Sequence, residues 1–175
     1  MTDRAGQSED APRAFLDLYD RSFPLVYGYL LSRCGQVALA EDLTTETFLA
    51  AVQAFRRDDP PPVSIAWLVG TARHKLVDHW RRQAREERRL RALADDEPEV
   101  EDGWDAHIDA LRARAILARL SPHHRAALTL RYMDDLPVPE VASVLDRSVH
   151  ATEGLLVRAR GAFRRAYAQD EACDD

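Results

Sequence analysis

Apolar side chains recur at intervals of three and four along nearly the whole chain, and no run of four to eight residues alternates cleanly. That is the period of amphipathic helices, so the pattern predicts an all-α protein. Phe15, Leu18, Tyr19, Phe23, Val26, Tyr27, Leu30 and Leu31 read as a pair of amphipathic helices interrupted at Pro24, whose ring removes an N–H donor. In the next helix Leu39, Leu43, Phe48, Leu49, Val52 and Phe55 are expected inside, with Glu41, Asp42 and Glu46 on a wet face. The stretch from Arg56 to Pro62 stops it, because consecutive prolines lack donors and push their predecessors out of the helical region. Ser64 is then placed to cap a helix with Ile65, Leu68, Val69, Ala72, Leu76 and Trp80 on one side and His74, Asp78, Arg81 and Arg85 on the other.

Helical periodicity returns at Ile108, Leu111, Ile116, Leu117 and Leu120. Three short helical patterns follow: Pro122 to Tyr132 behind a Ser121 cap, Pro137 to Leu145, and Val149 to Tyr167. Asp146-Arg147-Ser148 separates the last two. A short helix, a tight turn and a longer helix with basic residues is the outline of a helix-turn-helix, whose second helix can enter a DNA major groove; a three-helix bundle without a DNA role has the same outline. The last helix is expected to pack through Leu156, Ala159, Phe163 and Ala166, to leave His150, Ala151, Gly154, Arg158 and Arg165 outward, and to bring Arg158, Arg160, Arg164 and Arg165 to phosphates.

Charge divides the chain where periodicity lapses. From Arg73 to Arg91 eight basic side chains stand against three acidic ones; from Asp95 to Asp109 there are eight carboxylates and no Lys or Arg. The second block, with Pro98 and Gly103 in it, reads as a flexible, solvated linker between two small helical domains. The length of 175 residues and 46% hydrophobic content suit that division. Cys34 and Cys173 are far apart with no CxxC spacing, so neither a disulfide framework nor a zinc site is expected, and nothing calls for a metal or cofactor. His123 and His124 leave a helix about 100° apart and cannot share one metal well. With no HExxH, GxSxG or P-loop, an enzyme is not expected. No apolar run approaches the ~20 residues of a membrane span, and the polar, acidic start lacks a signal-peptide core, so a cytoplasmic protein without membrane insertion is expected.

The order of motifs resembles the extracytoplasmic-function (group four) sigma factors of the sigma-70 family. Ala40-Glu41-Asp42-Leu43-Thr44-Thr45-Glu46-Thr47-Phe48 is similar to the family's AEDLxQExF segment in region two, with Thr45 in the glutamine's place. Ala66-Trp67-Leu68, leading into Ala72 to Arg82, is similar to its AWL…ARNxxxDxxRR helix, with His74 for asparagine. Leu120 to Tyr132 looks like the start of region four, Glu140 to Leu145 like its EIAxxL helix, and Val149 to Arg160 falls on the recognition helix. The resemblance spans residues 13 to 167 and implies this division: 1–12 disordered, 13–92 region two, 93–109 acidic linker, 110–168 region four, 169–175 acidic tail.

The resemblance also implies a function: binding core RNA polymerase and directing promoter-specific transcription initiation. Region two would meet the polymerase clamp through Glu41, Asp42, Leu43, Glu46 and Phe48, the acidic face suiting a basic surface. It would open the −10 element with Arg73, His74, Lys75, Asp78, Arg81, Arg82 and Arg85, and the proline-rich loop from Asp58 to Ser64 falls where the family captures a flipped base. Asp78 is either a base-edge contact or an ion-pair partner of Arg81 or Arg82. Region four would read the −35 element with Ser148, His150, Ala151, Glu153, Gly154, Leu155, Arg158 and Arg160. Glu153 can accept from a cytosine amine; Leu155 either touches a thymine methyl or packs at the helix flank. The linker is either a mimic of the RNA whose exit path it threads or a solubilising spacer. Asp146 stands where a turn glycine is common, and it too tolerates the left-handed region. An anti-sigma factor is the further partner implied, beside core polymerase and promoter DNA.

Two other classes compete: a helix-turn-helix regulator acting without polymerase, which leaves the AEDL segment and the AWL helix without a role, and a helical adaptor. The formal charge of −6 argues against a nucleic-acid binder only as a total. Arg73 to Arg91, Arg112 to Arg131 and Arg147 to Tyr167 are each net basic, while acid collects in the linker and tail. Basic, DNA-facing helices alternating with acid predict weak binding to bulk DNA and dependence on polymerase.

Overall fold

The computed structural model describes residues 7–57, 59, 61–90 and 110–174, and every regular element among them is helical. In order these are α1 (Gln7–Cys34), α2 (Val37–Phe55), α3 (Ile65–Leu90), α4 (Ala110–Arg119), α5 (Pro122–Leu128), a π-helical turn (Thr129–Met133), α6 (Val138–Leu145) and α7 (Val149–Asp174). Two compact units divide inside α3, Met1–Leu76 and Val77–Asp175, earlier along the chain than the expected boundary at 92/93. The acidic stretch 93–109, and Asp58 and Pro60 of the proline-rich loop, lie outside the described residues.

In the first unit α1 and α2 form a helical hairpin. Gly35 takes a positive φ of 68°, which costs a residue without Cβ little, and its N–H reaches the Leu31 carbonyl at 2.9 Å to end α1. Val26, Leu30 and Cys34 of α1 are buried, as are Ala40, Leu43, Phe48, Ala51 and Ala54 of α2 and Leu68, Ala72 and Leu76 of α3. Tyr19 lies 4.7 Å and Phe23 6.1 Å from the Phe48 ring, centroid to centroid, adding an aromatic cluster.

Several expectations for this unit are corrected. The interruption at Pro24 does not occur: α1 is one helix from Gln7 to Cys34. Pro24 and Asp20 are both exposed, so water can take the Asp20 carbonyl that the missing N–H frees. Residues 7–12, expected disordered, form its first turns; in the second unit, residues 169–174 of the expected acidic tail continue α7. Leu49 and Phe55, expected inside, are exposed at 56% and 38%. Their places in the core are taken by Thr44 and Thr47, whose hydroxyls donate to the Ala40 and Leu43 carbonyls one turn back at 2.6 and 2.7 Å. A satisfied hydroxyl can be buried at little cost.

In the second unit α4, α5 and α7 enclose Ile116, Leu120, Leu128, Ala159 and Phe163. Arg125, on the buried face of α5, donates from its guanidinium to the carbonyls of Leu117 (3.0 Å), Leu120 (3.2 Å) and Ala118, closing the end of α4. Arg112 and Arg119 both grip the Asp170 carboxylate, at 3.1 and 2.8 Å, and Arg112 lies 4.8 Å over the Tyr167 ring. Much of the charge of the net-basic stretch Arg112 to Arg131 thus staples α4 to α5 and α7. The helix expected from Pro122 to Tyr132 is α5 extended by the π-turn, whose Asp134 N–H reaches Thr129 five residues back at 3.0 Å. Ser121 precedes α5, but its hydroxyl makes no capping bond; Pro122 at the first helical position, lacking an N–H, leaves one fewer donor to satisfy.

Candidate nucleic-acid interface

The helix-turn-helix is built by α6 and α7. Asp146 sits in the left-handed region (φ 53°, ψ 52°), its N–H reaching Ser143 at 3.2 Å while the Arg147 N–H reaches Ala142 at 2.9 Å, which closes α6 in the Schellman pattern. Ser148 then opens α7: its hydroxyl accepts from the Ala151 N–H at 3.2 Å, and its carbonyl accepts from the Thr152 N–H at 3.0 Å and the Thr152 hydroxyl at 2.9 Å. Three residues thus end one helix and start the next, fixing the direction in which α7 leaves the turn.

The face that α7 offers to solvent follows. His150, Ala151, Glu153, Val157 and Arg158 are exposed, and Gly154 and Arg160 are half-buried. A Cβ on Gly154 would come 3.4 Å from Arg158 Nη1, so the Arg158 guanidinium lies back over the glycine. Arg160 Nη1 is 3.4 Å from the Tyr132 hydroxyl. Of the two roles open to Leu155, its 5% exposure favours packing over contact with a thymine methyl. Arg165 is exposed and Arg164 half-buried further along the helix.

On α3 the Ser64 cap forms, its hydroxyl accepting from the Trp67 N–H at 3.2 Å. His74, Asp78, Arg82 and Arg85 are exposed on this helix, while Arg73, Lys75 and Arg81 are half-buried. Asp78 takes the ion-pair role, 3.4 Å from Arg81 Nη1. Arg81 Nη2 also donates to the Val144 carbonyl at 2.9 Å, so this guanidinium is engaged inside the second unit. Arg82 and Arg85 are left as the exposed cations of the set.

On α2 the structure separates the five residues read as polymerase-facing. Glu41 and Asp42 are exposed and Glu46 is half-exposed, but Leu43 and Phe48 are buried, at 1% and 7%, and support the surface from behind. Thr45 and Leu49 complete the outward row with Glu41 at four-residue spacing. Leu49 was missed as a surface residue because it is apolar. The signal that finds it is its register, eight residues after Glu41 on the same wet face.

Comparison with known proteins follows the same two halves. Residues 18–86 match the model of Sigma-70 region 2, and residues 110–163 match that of Sigma-70, region 4. The RNA polymerase sigma factor CnrH of Cupriavidus metallidurans is 30% identical over 181 residues, covering 87% of this chain and 92% of its own length. The ECF RNA polymerase sigma factor BldN of Streptomyces coelicolor is 32% identical over 172 residues, covering 95% of this chain; the chain spans 64% of that longer protein. Among solved structures, the sigma factor RpoE of Bartonella quintana, in complex with the anti-sigma factor NepR, shares the fold with a TM-score of 0.52 at 18% identity, covering 88% of this chain and 96% of its own. With both region models in order on helices of the expected geometry, and a full-length relative at this identity, the chain belongs to the extracytoplasmic-function sigma factors of the sigma-70 family.

Proposed function

We propose that this protein binds core RNA polymerase through region two, residues 13–92, and with region four, residues 110–168, directs initiation at promoters carrying −35 and −10 elements. It acts in the cytoplasm and catalyses no reaction of its own. The observation that carries the reading is the doubly capped turn at Asp146-Arg147-Ser148, which presents His150, Ala151, Glu153, Gly154 and Arg158 on one outward face of α7. A helix entered this way suits a major groove, its first turns meeting base edges and its arginines meeting phosphates.

For the −10 region, Arg73, His74, Lys75, Arg82 and Arg85 are the proposed contacts. For the polymerase, the row Glu41, Asp42, Thr45 and Leu49 on α2 combines carboxylates with one apolar side chain, the mixture of steering charge and central apolar contact that protein interfaces use. The Bartonella protein that shares this fold was solved with an anti-sigma factor. An anti-sigma factor covering Leu49 and the α2 row is the partner proposed to hold this chain inactive.

The test is co-elution of the purified chain with core RNA polymerase on size exclusion. Wild type should co-elute, and Glu41→Lys with Asp42→Lys should abolish co-elution while leaving the circular dichroism spectrum unchanged. Failure of the wild type to bind polymerase, with duplex DNA binding retained, would favour a helix-turn-helix regulator acting alone.

A further inference from the structure

Within the second unit lies a cavity of about 320 Å³, near the lower end of the range for small-molecule pockets. Four arginines line it, Arg81, Arg85, Arg88 and Arg147, with the Trp80 indole and the His123 imidazole beside them; among the described residues Asp146 supplies the only carboxylate of the lining. The wall is thus rich in cations, and those cations are only partly used. Arg81 is engaged by Val144 and Asp78, and Arg88 Nη2 lies 2.9 Å from His123 Nε2. Arg85 and Arg147 have no carboxylate at ion-pair distance among the described residues.

One further observation points the same way. The His123 pKa is lowered to about 4, first by burial and then by the positive field of Arg147, Arg88, His124 and Arg81. The ring is neutral at pH 7. Since a guanidinium can only donate, Nε2 accepts from Arg88 and the ring hydrogen sits on Nδ1, one more donor in the cluster. A pocket of donors and excess positive charge selects an anion, and planar guanidinium forks match phosphate oxygens two at a time.

We infer that this cavity is a binding site for a small phosphate-bearing anion, of pyrophosphate to mononucleotide size, held by Arg85, Arg88 and Arg147. The site shares Arg85 with the proposed −10 contacts but adds Arg88 and Arg147, which are not among them, and its test needs neither polymerase nor promoter.

The full-length chain is titrated with sodium pyrophosphate by isothermal calorimetry at constant ionic strength, with chloride as the matched control. The expected result is saturable one-to-one binding absent with chloride, weakened roughly tenfold by Arg147→Gln and roughly a hundredfold when Arg88→Gln is added, as loss of one and then two charge-assisted contacts requires. Thermal melting of each variant without ligand verifies folding; Arg147, on the exposed turn, keeps the test usable should the double variant unfold. A parallel arm measures binding to a duplex oligonucleotide. Absence of saturable pyrophosphate binding, or equal affinity in wild type and Arg147→Gln, overturns the inference. Loss of duplex binding in the variants with no pyrophosphate binding by wild type also overturns it, making these arginines DNA-backbone contacts.

Discussion

Lys75 Nζ lies 3.4 Å from a Glu46 carboxylate oxygen, tying a cation of the helix proposed to face DNA to an acid of the helix proposed to face polymerase. Both side chains are substantially exposed, at 36% and 43%, so the pair contributes at most about 1 kcal/mol to stability. Lys75→Met should shift the urea midpoint only slightly and, by releasing Glu46, leave core-polymerase affinity equal or higher. Glu46→Lys should lower that affinity at a similarly small stability cost. Urea denaturation and a fluorescence titration with core polymerase read the two effects separately.

Leu155 and Glu153 stand two residues apart on α7 but on opposite sides of the core boundary. Leu155→Ala should destabilise the protein by about 2–5 kcal/mol, the cost of a cavity in a packed core. Glu153→Ala should change stability by about 0.5 kcal/mol or less and alter the preferred −35 sequence. Thermal melts and a selection from randomised duplexes check both outcomes.

The salt dependence of promoter binding by the reconstituted holoenzyme separates the arginines of α3. Arg82→Ala and Arg85→Ala should each lower the slope of log K against log salt by about one, the loss of a phosphate contact. Arg81→Ala should change it less, because that guanidinium is already held by the Val144 carbonyl and Asp78.

His123 makes stability depend on pH in a definite direction. In the unfolded chain its ring takes a proton near pH 6.5; in the folded protein it does so only near pH 4, held neutral by burial and by Arg147, Arg88, His124 and Arg81. Between those values the unfolded state carries a proton the folded state lacks, so this contribution is complete above pH 6.5 and declines as pH falls towards 4. His123→Gln should flatten the fall of the urea midpoint between pH 7 and pH 4.5 relative to wild type. Parallel curves for the two proteins would remove His123 from the account.

How far the sequence could be read depended on whether a residue's role follows from local periodicity. The stripe Leu68, Ala72, Leu76 and Trp80 and the left-handed Asp146 were legible because helical register and turn chemistry are local properties. Leu49 misled, since an apolar residue at helical spacing shows where it can pack, not whether an element lies opposite it; Phe55 does meet the Phe15 ring edge-on at 5.4 Å but stays 38% exposed. Thr44 and Thr47 were missed because a threonine bonded to its own helix is apolar in effect, which composition does not reveal. Arg125 looked like a DNA-facing charge, and only the fold shows that its guanidinium closes the end of α4. The basic residues of α3 and the face of α7 were located by their motifs, but which cations stay exposed is decided by tertiary partners such as Glu46 and Val144.

The most direct test of the central claim is run-off transcription with core RNA polymerase and the purified chain, on a template library carrying upstream regions from the native genome. The account predicts discrete transcripts that need both the chain and polymerase, lost when Glu41 and Asp42 are reversed in charge and shifted to different start sites by Glu153→Ala. Transcripts identical with and without the chain, from a polymerase shown to be active with another sigma factor, would contradict it.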